Sequence, residues 1–191
     1  MLPRLRVASF LSICGLSLAF VAGCQPGADL PPAPPYEASV YRLGVGDHVR
    51  IIVYNDDKLT NTFRVSDGGT LALPLLGSEK ALGLTTDELA HQISSELQER
   101  QLLNNASVSV EVTDYRPISV LGEVAHPGEF PYQPGMTMLT AVAVAGGFTY
   151  RAVEGYAFVV RHDQSKLVEG TLTPHDFVAP GDVIKIYERT F

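Results

Sequence analysis

Hydrophobic and polar positions change period several times along the chain. Val108, Val110 and Val112 alternate with Ser107, Ser109 and Glu111, which predicts a strand with one buried face. Leu84 to Leu103 has the longer period of a helix, with Leu89, Ile93 and Leu97 on one face. Thr85 and Glu88 have the spacing of a capping box, and Leu84 with Leu89 that of a hydrophobic staple. Asn104-Asn105 is the expected stop. Before this helix, Val49–Tyr54 and Gly69–Leu76 read as strands, with polar residues between them that suit a loop. After it, Ser119–Glu123 reads as a strand and His126-Pro127-Gly128-Glu129 as a type II turn with Gly128 at positive φ. Phe130–Tyr132 is the returning strand. Pro134-Gly135 turns the chain again, Thr137 caps a helix over Met138–Ala145, and Gly146-Gly147 ends it.

The last segment reads as Ala157–Arg161, a loop, then Val178–Ile186. Its Gly181-Asp182 followed by alternating apolar residues echoes Gly46-Asp47 before Val49 and Ile51. Two short matches do not make a repeat. Their shared physics is a tight turn into an edge strand, with Asp bonding nearby backbone amides. The helix Met138–Ala145 is apolar almost all round, which suits the core or a subunit interface.

The N-terminus changes the picture. Arg4 and Arg6 precede an apolar run from Val7 to Ala22, shorter than the ~20 residues of a membrane span and suited to a signal peptide. The run ends in Val21-Ala22-Gly23-Cys24, which resembles a bacterial lipoprotein lipobox. The resemblance implies cleavage after Gly23 and lipidation of Cys24. Gln25, in place of the Asp of inner-membrane retention, implies sorting to the outer membrane. Pro26, Pro31, Pro32, Pro34 and Pro35 then predict an extended spacer, on the order of 30–50 Å if fully stretched.

Net charge is −7, and loss of Arg4 and Arg6 with the signal peptide makes it −9. That disfavours nucleic-acid binding, which needs a basic footprint. Both cysteines, Cys14 and Cys24, lie in the first 24 residues, so the body has no disulfide framework. The acid pairs Asp56-Asp57, Asp87-Glu88 and Glu96/Glu99 suit solvated surface better than glycosidase chemistry. His48, His91, His126, His162 and His175 lack metal-ligand spacing, and the serines, Ser66 and Ser78 among them, lack a nucleophile elbow. No catalytic residue, cofactor site or metal site is expected. Tyr41, Tyr54, Phe63, Tyr115, Phe130, Tyr132 and Tyr150 have faces for sugar stacking, but such aromatics are more often core or interface.

The segment Gly122-Glu123-Val124 to Gly146-Gly147-Phe148-Thr149, with Pro127-Gly128, Pro131-Tyr132 and Gly135-Met136-Thr137, resembles the soluble-ligand-binding β-grasp (SLBB) module of the Wza-type polysaccharide-export lipoproteins. Tyr41-Arg42-Leu43-Gly44-Val45-Gly46-Asp47, Val65 to Gly77 and Leu84 to Leu89 resemble the export domain that precedes it. The resemblance implies an α+β fold: residues 1–23 signal peptide, 24–40 lipidated cysteine and Pro-rich linker, 41–115 export domain, 116–191 SLBB domain. It implies polysaccharide transport by a homo-oligomeric ring anchored to the outer membrane with its body in the periplasm. It also implies an inner-membrane polysaccharide co-polymerase as partner, and no enzymatic role. The alternative is a lipid-anchored periplasmic glycan-binding module without a channel, and an enzyme acting on the polymer is a third reading. Long members carry a C-terminal amphipathic helix that crosses the outer membrane. The chain stops at Phe191, so the expectation is a short form that does not itself span the bilayer.

Overall fold

The computed structural model describes residues 26–27, 29–37, 40–54, 56, 59–163 and 166–190. The expected signal peptide with Arg4 and Arg6, both cysteines, Gln25, Asp57 and Phe191 lie outside the described residues. The architecture is α+β and has two cores.

The first core is built on a three-stranded antiparallel sheet. Strand β1 (His48–Val53) lies between β2 (Asn61–Arg64) and β5 (Val108–Asp114). A separate hairpin joins β3 (Thr70–Leu73) to β4 (Gly77–Lys80). Helix α1 (Thr86–Glu99) buries Leu89, Ile93 and Leu97 with Val49, Ile51, Val53 and Val110. Each such side chain contributes ~1.5–3 kcal/mol of apolar transfer free energy when fully buried. The capping box is present: Glu88 N–H donates to Thr85 Oγ1 at 3.1 Å, and Thr85 N–H to Glu88 Oε2 at 2.8 Å.

Three expectations for this half need correction. The stretch read as a loop contains β2, which pairs with β1 although its residues are mostly polar. The single strand expected over Gly69–Leu76 is broken, because Leu75 takes a left-handed φ of 65° and folds β4 back on β3. Helix α1 ends at Glu99, not at Asn104. Gln101 adopts φ 57°, its N–H bonds Gln98 O at 2.9 Å, and Leu102 N–H bonds Leu97 O at 2.9 Å. That is a Schellman closure with Gln where glycine is usual, so the sequence carries no stop signal there.

The second core lies on a five-stranded sheet of order β7-β6-β10-β8-β9. Its strands are β6 (Ile118–Gly122), β7 (Gly128–Phe130), β8 (Ala157–Asp163), β9 (Lys166–Leu172) and β10 (Val183–Ile186). Helix α2 (Met138–Val144) contributes buried Met138, Ala141 and Val142 to the same core, while Leu139 and Val144 on its other side are exposed. Thr137 caps it, accepting from Thr140 N–H at 3.3 Å. Gly146 and Gly147, at φ 85° and 90°, end it. Among the described residues no helix is long and apolar enough to cross a membrane.

Here too the structure differs from the reading. Strand β9 occupies part of the expected loop and pairs with β8 along its whole length. Gly128 is a β7 residue opposite Val120, without positive φ and with nothing within 4 Å of a Cβ placed there. The left-handed glycine of this hairpin is Gly122, at φ 86°, where a Cβ would lie 2.1 Å from Ile186 O. Strands β1 and β10 are both central, not edge strands.

The Pro-rich segment is not a free spacer over its described length. Ala33 N–H donates to Thr171 O at 2.9 Å, and Thr171 N–H to Pro31 O at 3.0 Å. Residues 31–33 thus run parallel to the outer edge of β9. An extended chain with unpaired carbonyls matches an open sheet edge. Tyr156 Oη adds a bond to Pro26 O at 2.9 Å.

Candidate functional site

The two cores meet at a pair of matching turns. In Gly44-Val45-Gly46-Asp47 the Asp47 N–H donates to Gly44 O at 3.2 Å. The Asp47 carboxylate accepts from Gly44 N–H at 2.7 Å. In Ala179-Pro180-Gly181-Asp182 the corresponding distances are 3.1 and 2.8 Å. Gly46 and Gly181 occupy the third position at φ 93° and 86°, where a side chain would be strained. Both aspartates are buried.

Each aspartate holds an arginine. Arg161, from β8, gives Asp182 bonds of 2.7–3.2 Å from Nε and Nη2. Its remaining donors reach Pro34 O at 2.6 Å and Phe177 O at 3.0 Å, and its guanidinium lies over the Tyr36 ring. Arg116, between β5 and β6, places Nε 3.3 Å from Asp47 Oδ1, and its backbone N–H donates to the same oxygen at 3.2 Å. Arg116 Nε is buried without a well-aligned hydrogen bond. The Arg116 side chain also lies within 4 Å of where a Cβ on Gly44, Gly46 or Gly181 would be. It is therefore wedged between the two turns.

Tyrosines close one side. Tyr41 Oη donates to Asp47 through a short bond. Tyr41 packs edge-on against Tyr115 at 4.9 Å, and Tyr115 against Tyr132 at 5.5 Å. Burial pushes the Tyr41 phenol well above its ordinary range, and the Asp47 carboxylate adds to the shift. Burial does the same to Tyr36, reinforced by Tyr132. For Arg116, burial works against the charged form, but Tyr41 and Asp47 outweigh it and raise its pKa.

The family model for polysaccharide biosynthesis/export proteins matches residues 35–113, and the SLBB domain model matches residues 117–174. The chain thus carries a polysaccharide biosynthesis/export domain followed by an SLBB domain. The exopolysaccharide production protein ExoF of Rhizobium meliloti is 38% identical over 157 residues, which is 76% of this chain and 36% of that one. The EPS I polysaccharide export outer membrane protein EpsA of Ralstonia nicotianae is 29% identical over 159 residues, 70% of this chain and 41% of that one. Its namesake in Ralstonia solanacearum is 29% identical over 187 residues, 80% of this chain and 49% of that one. The chain spans less than half the length of each of these relatives.

The junction draws on both matches and on residues outside them. Tyr115 and Arg116 fall between them, and the whole turn ending in Asp182 lies beyond the SLBB match. The export domain supplies Tyr36, Tyr41 and Asp47, and the SLBB match supplies Tyr132 and Arg161.

The paired acids have local roles. Asp56 accepts from Leu59 N–H at 3.2 Å. Asp87 and Glu88 occupy the first turn of α1, and Glu88 also meets Arg42 at 3.1 Å. Glu96 pairs with Arg100 at 3.0 Å, and Glu99 is exposed. Among the described residues no three His, Cys, Asp or Glu are placed to hold a metal. Of the aromatics singled out, Tyr41, Tyr115 and Tyr132 converge on the junction. Tyr54 and Tyr150 are exposed, and Phe63 and Phe130 pack against the first and second core respectively. Sequence reasoning missed Arg116 and Arg161, because nothing local marks an arginine whose partner lies in a turn distant along the chain.

Proposed function

We propose that this chain works in the export of an extracellular or capsular polysaccharide, as a lipoprotein of the outer membrane with its body in the periplasm. The observation that carries the reading is the succession of an export domain and an SLBB domain, in a chain similar to two proteins named for polysaccharide export at the outer membrane. Cys24 is the acylated residue, several copies assemble into a ring, and an inner-membrane co-polymerase delivers the polymer. The protein moves polymer and does not cleave it. Passage of a long glycan requires many weak contacts and no tight site, so a catalytic centre is not needed.

The test is deletion of the gene and its restoration, with secreted polysaccharide as the readout. Restoration by the wild-type gene supports export. Cys24→Ala abolishes fatty-acid labelling and leaves an unprocessed precursor, whereas equal labelling of both proteins overturns the anchor. Cross-linking of intact membranes reports the ring. Normal export with only monomer present would favour a glycan-binding module without a channel.

A further inference from the structure

The recesses beside the junction are lined by cationic side chains. Two adjoining recesses, of about 280 and 530 Å³, share Arg42, Arg116 and His162 in their walls. Lys80 lines the larger one, together with the part-exposed Leu82. Among the described residues neither recess is lined by a single Asp or Glu. The chain as a whole carries a net charge of −7, so a cleft lined by cations and by no carboxylate runs against the overall balance and favours an anion locally.

The acids that fix the two guanidinium groups stand outside the lining. Glu88 holds Arg42, and Asp47 holds Arg116. Both arginines are thereby held in place by carboxylates of the chain itself. The side chains of Lys80 and His162 make no hydrogen bond or ion pair among the described residues. With each arginine already balanced by one carboxylate, one lysine charge remains uncompensated. That balance matches a monoanion better than a dianionic phosphate.

We infer that the cleft between the export and SLBB domains is a binding site for a carboxylate-bearing sugar unit, such as a uronate, of an acidic polysaccharide. Arg42, Arg116 and Lys80 face the carboxylate, His162 supplies a further polar contact, and Leu82 offers an apolar surface to the sugar ring. The larger recess, about 530 Å³, is in the range of small-ligand sites, ~300–1,000 Å³. The choice of a polysaccharide rests on the export reading, whereas the affinity for a carboxylate does not.

The experiment titrates the purified full-length lipoprotein in detergent with an oligogalacturonate, a maltooligosaccharide of equal length, and inorganic phosphate, followed by calorimetry. The oligogalacturonate is expected to bind, the neutral sugar not to bind, and phosphate at equal concentration not to displace the uronate. Lys80→Gln/His162→Gln removes two side chains without partners. It should keep the wild-type unfolding temperature and weaken binding roughly tenfold, as loss of about two modest contacts does. Lys166→Gln makes one of the same charge changes on β9 and should leave binding unchanged. Equal binding of the neutral sugar, displacement by phosphate, wild-type affinity in the double variant, or the same loss in Lys166→Gln would each overturn the site. A protein that restores export but ignores oligogalacturonate removes the site and leaves the export reading. One that binds it but does not restore export does the reverse.

Discussion

The two Asp turns have the same backbone and differ in what surrounds them. In the SLBB half, Arg161 and Asp182 are almost fully buried, with side-chain exposures of 6% and 1%. Every nitrogen of that guanidinium has an acceptor or a short carboxylate contact. In the export half, Asp47 is equally buried but Arg116 is 25% exposed and its Nε lacks an aligned acceptor. The turn is set locally, by glycine at the left-handed position and aspartate next to it. The energetic weight of the aspartate is set by a residue far away in sequence. A repeated pattern therefore identifies a repeated shape and says little about strength.

The largest expected effect is at the more buried pair. Asp182→Ala leaves Arg161 charged and uncompensated, at a cost of ~3–5 kcal/mol. Urea unfolding followed by circular dichroism should show a much lower midpoint. A midpoint near wild type would mean that Pro34 O and Phe177 O suffice for Arg161, and the asymmetry would fail.

Asp47→Ala should cost less, ~1–3 kcal/mol, chiefly for the orphaned Gly44 N–H. Arg116 is partly exposed, so water can take up its charge. A loss equal to that of Asp182→Ala would show the two turns to be energetically alike.

A sharper contrast lies at the first turn position, where Gly44 corresponds to Ala179. A Cβ on Gly44 would lie 2.4 Å from Arg116 Cζ, whereas the other turn already carries one. Gly44→Ala should cost ~1 kcal/mol, at the low end for overpacking, because the tip of a flexible side chain can yield. Ala179→Gly should cost no more than that. Thermal unfolding of the pair decides whether Arg116 is wedged as described.

At neutral pH Tyr41→Phe should cost ~1.5 kcal/mol, the low end for one hydrogen bond to a charged group. Its signature is at alkaline pH. The folded-state pKa of Tyr41 is raised, so its contribution is complete below the unfolded tyrosine pKa of ~10. It is lost as pH climbs from there toward the folded value. Wild type should lose stability above pH ~10, and Tyr41→Phe should lose less over the same interval. Parallel curves would remove Tyr41 from the export-side turn.

Much of this was readable in advance where a local rule acts. Thr85 with Glu88, Thr137, Pro134-Gly135 and Gly146-Gly147 each specify a cap or a turn within a few residues, and each is found. The failures lie where local preference does not decide. Strand β2 is polar but pairs with β1, and β9 pairs with β8, so strand pairing overrides composition there. Gln101 ends a helix in a left-handed conformation that glycine would normally supply. Gly128 misled because Pro-Gly is a strong turn signal, while the positive φ fell on Gly122, beneath Ile186 O. The Pro-rich segment misled because composition cannot reveal that the edge of β9 is open to it. Of the junction, the two aspartates carried a signal. Arg116, Arg161 and Tyr36 did not.

The place of β10 governs the order in which the SLBB half can fold. The β6–β7 and β8–β9 hairpins are local, and pairs of this kind close in ~1–10 μs. They share no strand pairing with each other, because β10 lies between them, parallel to β6 and antiparallel to β8. Joining them requires Val183 to reach Ser119 across the whole module, a non-local closure of the kind that slows folding. A ribosome or a secretion channel thus releases every other strand before the one that unites them. A fragment cut where the SLBB match stops, at residue 174, would keep both hairpins and lose the strand that makes them one sheet.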